Sequence, residues 1–164
     1  MIRQTFKSLF ISLCLISSPA LAGADKLLAP KKPLEALEGV SRFTGDVSGN
    51  EITVVQYWAS WCTGCAVVMA EMTDLLAKRQ GIGYVTVSLD DSRDLAMKFF
   101  ANKSDIVKAT INRAYLDPSG ATFSEPVGVD SLPYLMFVRK DGTIVKRIKG
   151  HPTKSDLELL TTKG

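Results

Sequence analysis

Two apolar runs of strand length flank a segment with helical periodicity. Residues 52–59 and 82–89 are rich in β-branched and aromatic side chains, a composition typical of buried strands. Between them, apolar side chains recur at spacings of three and four from Cys65 until Gly81, which predicts an amphipathic helix. A strand, a helix and a strand joined by short loops predict a right-handed parallel βαβ unit.

The rest of the chain predicts further elements around this unit. They are one helical turn at 34–39, a helix at 93–103 capped by Asp91 or Ser92, a short strand at 114–117, a loose helix at 121–129, two antiparallel strands at 134–139 and 143–150 around an Asp141-Gly142 turn, and a helix at 153–162 capped by Thr153 or Ser155. This order predicts an α/β fold with a mixed sheet flanked by helices.

The N-terminus has the composition of a secretory signal. Two cationic residues precede an apolar stretch at 9–16 that is too short to span a bilayer comfortably. Ala22 ends a small-x-small cleavage pattern, although cleavage after Ala24 also fits and an uncleaved anchor is the alternative. The predicted organisation is a signal peptide at 1–22, a mobile leader at 23–34 and one domain at 35–164.

Removal of this signal changes the charge and the cysteine count. The net charge falls from +3 to +1, because residues 1–22 contain two cationic side chains and no acidic one. Nothing in that charge indicates binding to nucleic acid or to an anionic membrane surface. Cys14 leaves with the signal, so the exported chain retains Cys62 and Cys65, and thiols of exported chains tend to form disulfides.

The spacing and position of Cys62 and Cys65 predict a redox motif. They form a CxxC at the junction of the first strand and its helix. The free N–H groups and dipole at a helix N-terminus favour an anion, here the thiolate of Cys62. Cys65 lies one turn later on the same face, so it can close a disulfide. Cys62 is therefore the predicted attacking thiol and Cys65 the resolving thiol, which points inward.

Two other uses of the cysteines are weaker. A disulfide that closes so short a loop removes little chain entropy, so it would stabilise the fold poorly. A zinc site needs a second pair of ligands, and the only histidine of the chain is His151. We therefore expect neither a resident metal nor a cofactor.

Two segments resemble the thioredoxin-like family. "YWASWCTGC" is similar to its strand, Trp-Ala-x-Trp-Cys-x-x-Cys and helix signature, and "SLPYLMFVRKDGTIVKRIKG" is similar to its second half. The signal peptide and the long segment before Pro133 resemble the exported TlpA/ResA/CcmG-like branch. This resemblance implies a thioredoxin-like fold with an insertion before the proline strand, and a thiol–disulfide oxidoreductase activity.

The resemblance also implies a substrate-binding site beside Cys62. In this family the bond before the corresponding proline is cis, so we expect Leu132-Pro133 to be cis and to face Cys62. The backbone of Leu132 then pairs with an extended substrate segment. Trp61 is expected to be exposed beside Cys62, where an indole packs on a bound partner or simply shields the disulfide.

The chain departs from the family pattern near Cys65. Gln56 occupies the place of a buried aspartate of many thioredoxins, and Val68 that of a glutamate of many relatives. An amide donates and accepts hydrogen bonds but cannot act as a base. We expect resolution by Cys65 to be slow near neutral pH, with water or Glu125 as the proton acceptor.

Thr63 and Gly64, the residues between the cysteines, favour a reductase. Without a cation there, the thiolate of Cys62 is less stabilised, which argues against a potential as high as about −120 mV. The family implies that protein disulfides are the substrates, for example in cytochrome c or oxidase maturation. It also implies a membrane electron-donor thiol protein. The signal peptide predicts a periplasmic location, and we expect a monomer without a membrane span after cleavage. The alternatives are an oxidase or isomerase, or a copper chaperone using Cys62, Cys65 and His151.

Overall fold

The computed structural model describes residues 32–120 and 129–160, in which one seven-stranded sheet carries the helices. The strands are β1 (Leu34–Ala36), β2 (Arg42–Phe43), β3 (Ile52–Trp58), β4 (Ile82–Ser88), β5 (Ala114–Leu116), β6 (Tyr134–Arg139) and β7 (Ile144–Lys149). The helices are α1 (Thr63–Ala77), α2 (Arg93–Ala101), α3 (Asp105–Lys108) and α4 (Lys154–Leu157), with 3₁₀ turns at Ile111–Arg113, Val129–Ser131 and Glu158–Leu160.

The sheet is mixed, as predicted. Its strand order is β2-β1-β5-β4-β3-β6-β7. The pairs β3–β4 and β4–β5 are parallel, whereas β6 and β7 pair antiparallel beside β3. The connections β3-α1-β4 and β4-α2-α3-β5 step across the sheet in the same direction. Right-handed crossovers therefore place these helices on the same face of the sheet.

The core follows the alternation of side chains along the strands. On the helix-bearing face, Val54 and Trp58 pack with the buried side of α1, including Met69 and Met72. On the opposite face, Val55 and Tyr57 pack with other strand residues. Helical periodicity in α1 and period two in β3 thus account for the apolar pattern of the βαβ unit.

The prediction of a helical turn at 34–39 is wrong. Leu34–Ala36 is a strand whose side chains alternate between buried and exposed, and it begins at the last residue of the predicted leader. Glu35 pairs with Leu116 of β5, and Leu37 N donates to Ala114 O at 2.8 Å. This pairing partner lies far along the chain, so local periodicity could not show it.

The other predicted elements that can be compared occur near their expected positions. Ser92 caps α2, and Thr153 caps α4 in a capping box with Asp156. The hairpin turns at Gly142, whose φ of 83° suits glycine. The signal peptide, residues 23–31 of the leader, residues 121–128 of the loose helix, Glu125 and the last two residues of the closing helix lie outside the described residues.

No helix within 32–120 and 129–160 combines the length and apolar character that crossing a membrane requires.

Candidate active site

A tight turn between β3 and α1 presents Cys62. The Cys62 amide donates to Ala59 O at 3.0 Å, which closes the turn, and Cys62 itself has extended backbone angles. Cys62 is the residue immediately before the helix, and Cys65 N donates back to Cys62 O at 3.2 Å. The cysteine pair therefore spans the first turn of α1, where sequence spacing placed it.

Cys62 and Cys65 form a disulfide in the structure. Cys62 is 6% exposed, whereas Cys65 is completely buried. A partner thiol or disulfide can therefore approach through Cys62 only. This inward position of Cys65 is the one that the helical spacing predicted.

The helix N-terminus supplies a favourable field for an anion at Cys62. The first turn of α1 contains no acidic side chain, and no side chain caps it. Its free N–H groups and the helix dipole consequently favour negative charge at the preceding residue. Thr63 and Gly64 are exposed and uncharged, so the two residues between the cysteines add no cation to that field.

The Leu132-Pro133 bond is cis, as the resemblance implied. Pro133 lies against the cysteine loop, because a Cβ on Gly64 would lie 3.9 Å from Pro133 Cδ. Pro133 O accepts a 2.7 Å hydrogen bond from Gly150 N, at the end of β7. The structure thus brings the CxxC loop and the proline loop together.

Apolar side chains close to Cys62 in the chain are exposed. Trp61 is 57% exposed, and Val67, on the outer side of α1, is also exposed. Leu132 is half-buried and packs against the core cluster that contains both cysteines. A bound chain could therefore contact the indole ring of Trp61 next to Cys62.

Gln56 lies directly beneath Cys65. Its Nε2 donates to Cys65 O at 3.3 Å, and its Oε1 accepts from the Tyr84 hydroxyl at 2.5 Å. Both side chains are buried, and burial raises the pKa of Tyr84 far above its ordinary value. This pair is therefore neutral under ordinary conditions. Sequence reasoning missed Tyr84, which faces Gln56 from the adjacent strand.

A second polar residue missed by sequence reasoning is Asp90. Its buried carboxylate accepts hydrogen bonds from the backbone and side chain of Ser60, two residues before Cys62. Asp90 follows β4 and Ser60 follows the parallel strand β3. The carboxyl ends of neighbouring parallel strands meet at one sheet edge, so this adjacency was the available signal.

His151 is engaged away from the disulfide. Its Nε2 lies 3.0 Å from Glu71 Oε2 on α1, and its Nδ1 lies 2.9 Å from Pro152 O. In the described part of the chain, no three or more His, Cys, Asp and Glu side chains group as metal ligands. The structure does not join His151 to the cysteines as the copper alternative required.

Sequence comparisons match the region that builds this site. A family model described as thioredoxin-like matches residues 49–144. The thiol-disulfide oxidoreductase ResA of Bacillus anthracis is 30% identical over 132 residues, or 79% of this chain and 72% of that protein. The thiol:disulfide interchange protein HelX of Rhodobacter capsulatus is 33% identical over 136 residues, or 82% and 72% of the two chains.

Two solved structures of other proteins superpose on this chain. A Chlorobium tepidum protein assigned as a thiol:disulfide interchange protein DsbE superposes with a TM-score of 0.65 at 27% identity, over 87% of this chain and 95% of that one. StoA from Bacillus subtilis superposes with a TM-score of 0.60 at 18% identity, over 83% and 96% of the two chains. The second likeness concerns the fold alone.

Proposed function

We propose a direction of electron flow and a cellular place for this chain, which belongs to the thioredoxin-like family of thiol–disulfide oxidoreductases. It is a reductase of protein disulfides that acts through Cys62 and Cys65. The observation that carries this proposal is the uncharged Thr63-Gly64 pair between the cysteines at the start of α1. No cation between the cysteines stabilises the thiolate further, so the dithiol keeps a low potential and gives up electrons readily.

The reaction uses two thiol–disulfide exchanges. The Cys62 thiolate attacks one sulfur of a substrate disulfide, forms a mixed disulfide and releases the first substrate thiolate. The Cys65 thiolate then attacks Cys62 Sγ, re-forms the Cys62–Cys65 disulfide and releases the second substrate thiolate. Two electrons pass to the substrate, and the protons of the two cysteines end on its thiols through water.

Substrate recognition is assigned to the surface around Cys62. Trp61 supplies an exposed ring, and the backbone of Leu132, before cis-Pro133, pairs with an extended segment of the substrate. The half-buried side chain of Leu132 and the closeness of Pro133 to Gly64 support this assignment. A partner with an accessible disulfide in an unfolded or extended segment fits such a surface.

The proposed place of action is outside the cytoplasm. The signal-like residues 1–22 support export of the domain that follows them. Because an oxidising compartment returns the pair to the disulfide, a membrane thiol protein must recharge it. Maturation of cytochrome c or of an oxidase copper site supplies suitable substrates, as the family resemblance implies.

The reduction potential tests the direction. Tryptophan fluorescence in glutathione and dithiothreitol buffers follows the Cys62–Cys65 pair, because Trp61 adjoins Cys62 and Trp58 packs in the same cluster. We expect a value of about −220 mV or lower. A value near −120 mV would make the protein an oxidant and overturn the reductase proposal.

Activity and processing test the remaining parts. A reductase cleaves insulin disulfides and does not form disulfides in reduced ribonuclease, whereas the opposite result supports an oxidase. A copper chaperone would do neither and would bind Cu(I) tightly through the cysteines. N-terminal sequencing of the exported protein should begin at Gly23 or Asp25. An intact Met1 in the cytoplasmic fraction would contradict export.

A further inference from the structure

The carboxylate of Asp90 holds the turn that presents Cys62. Asp90 is 3% exposed. The Ser60 amide lies 3.0 Å from each of its oxygens, and Ser60 Oγ donates to Oδ1 at 2.6 Å. Ser88 Oγ donates to Oδ2 at 2.7 Å and accepts from Asp90 N at 3.1 Å. Leu89 N also donates to Trp58 O at 2.8 Å, so the ends of the two strands are tied together.

The contacts suit the ionised form of this side chain. Each group bonded to the two carboxylate oxygens is an N–H or O–H donor. An ionised carboxylate accepts all of them, and charge-assisted hydrogen bonds are the stronger kind. A full negative charge is therefore held in a buried position behind the turn, where solvent screens it weakly.

We propose that Asp90 is a positioning residue that keeps the reduction potential of the Cys62–Cys65 pair low. It fixes the turn through Ser60, and its charge opposes the thiolate that forms at Cys62 on reduction. A less stable thiolate makes the reduced form less stable, which lowers the potential. The inference needs only the exchange chemistry of the family, so it holds whether the protein works as a reductase or as an oxidase.

The other acidic side chains around the turn do not duplicate the charge of Asp90. The first turn of α1 has no acidic side chain and Thr63 and Gly64 are uncharged. Asp91 and Asp130, on the neighbouring loops, are exposed to solvent and screened by it. Asp90 is the carboxylate that the structure bonds directly to the turn. Removal of its charge should therefore change the reduction potential of the Cys62–Cys65 pair.

The test compares Asp90→Asn with the unchanged protein. The amide oxygen can still accept from Ser60, and the amide nitrogen can donate to Ser88, so the substitution removes charge with little change of shape. We expect the equilibrium constant with glutathione to move roughly 3- to 10-fold toward the dithiol, a rise of about 15 to 30 mV in potential.

Ser60→Ala is the matched control. It removes the Ser60 Oγ bond but keeps the backbone bond and the charge of Asp90. We expect it to lower stability and to leave the glutathione equilibrium within about 2-fold of the unchanged protein. An equal shift in both variants would show that the hydrogen bonds and not the charge set the potential, which would overturn the proposal.

An exposed variant provides a second test if Asp90→Asn does not fold. Measured at an ionic strength of about 0.01 M, where screening is weak, Asp91→Lys changes the charge beside Asp90 by two units without touching its hydrogen bonds, and it should shift the equilibrium in the same direction by at least about 2-fold. A folded Asp90→Asn protein with an unchanged equilibrium would refute the proposal. An unchanged equilibrium in Asp91→Lys would do the same where only that variant folds. Because variants are compared, the absolute potential that tests the reductase direction is a separate result.

Discussion

The two ends of the disulfide rest on buried polar groups of different kinds. Beneath Cys65, Gln56 bonds the carbonyl of Cys65 and the hydroxyl of Tyr84, and both side chains are neutral. Behind the turn before Cys62, Asp90 contributes a carboxylate bonded to Ser60. The cysteine that meets partners thus has a charge behind it, whereas the buried cysteine lies over an amide.

This difference affects the two cysteines in different ways, through the stability of the thiolate at Cys62 and through proton transfer at Cys65. At Cys62, the helix N-terminus favours a thiolate and the nearby carboxylate opposes it, so the balance of two fields sets the potential. At Cys65, Gln56 can orient the backbone but cannot take the proton of the thiol. Electrostatic control is therefore concentrated at the attacking sulfur, and the amide beneath the resolving sulfur supplies no base.

The largest expected effect comes from removing either sulfur. Cys62→Ser should lower the rate of insulin disulfide cleavage by more than roughly 10³-fold, because the nucleophile is lost. Cys65→Ser should retain attack but accumulate a mixed disulfide with the partner, visible on a non-reducing gel. A Cys62→Ser protein that still forms this adduct would reverse the assigned roles, and failure of Cys65→Ser to trap any partner would count against the exchange mechanism.

The next largest effect is on stability, where the networks of Asp90 and Gln56 should differ. Asp90→Ala leaves several buried donors without an acceptor and should lower the free energy of unfolding by about 2–4 kcal/mol. Gln56→Leu leaves the Tyr84 hydroxyl without its acceptor and should cost about 1–2 kcal/mol. Urea unfolding of both oxidised proteins measures the difference. A larger loss for Gln56→Leu would contradict the ranking of the two networks.

A base placed under Cys65 should accelerate resolution. In Gln56→Glu, a carboxylate can accept the thiol proton, so release of the second substrate thiol at pH 7 should become at least roughly tenfold faster. Stopped-flow fluorescence of a preformed mixed disulfide measures this step, with Gln56→Met as the uncharged control. Equal rates in the unchanged protein and the glutamate variant would show that resolution is not limited by a missing base.

The smallest expected effect concerns Asp156, whose charge lies outside the networks of Asp90 and Gln56. Hydrogen bonds from Lys146 and then Thr153 hold the pKa of Asp156 well below its ordinary value. Because the folded-state pKa is lowered, ionised Asp156 stabilises the fold above the unfolded-state pKa of about 3.9. This contribution to stability is lost as the pH falls below that value toward the folded-state pKa. Asp156→Asn should therefore flatten the loss of stability between about pH 4 and pH 2, as followed by circular dichroism.

The same variant also tests whether the effect of Asp90 on the disulfide is local. Asp156 lies on α4, outside the turn and the CxxC loop. Its replacement should leave the glutathione equilibrium within about 2-fold, in contrast to Asp90→Asn. A shift as large as that of Asp90→Asn would mean that the potential responds to net charge and not to a local carboxylate.

Local pattern was sufficient where one element decides its own structure. The apolar runs identified β3 and β4 within one residue at their ends, and helical spacing identified the buried side of α1. The same reasoning failed at Leu34–Ala36, where three residues became a strand only through pairing with β5. Short segments contain too little periodicity to compete with a tertiary partner.

The candidate site shows the same division. The spacing of Cys62 and Cys65 at the start of a helix was enough to predict a disulfide with one accessible and one inward sulfur, because both positions belong to one turn. The residues around this disulfide come from β3, β4, the loop before β6 and the loops after β3 and β4. Which polar groups meet there depends on how parallel strands align, and no local pattern encodes that alignment.

The chain's own order of residues therefore determined the redox pair, its place at a helix N-terminus and the proline that follows the insertion. Tertiary structure alone decided that Tyr84 would bond Gln56 under one cysteine, and that Asp90 would hold the turn before the other. The two kinds of interaction differ in the sequence separation of the residues that they join. Helix spacing and strand alternation act over a few neighbouring residues, whereas these hydrogen bonds join side chains 28 and 30 positions apart.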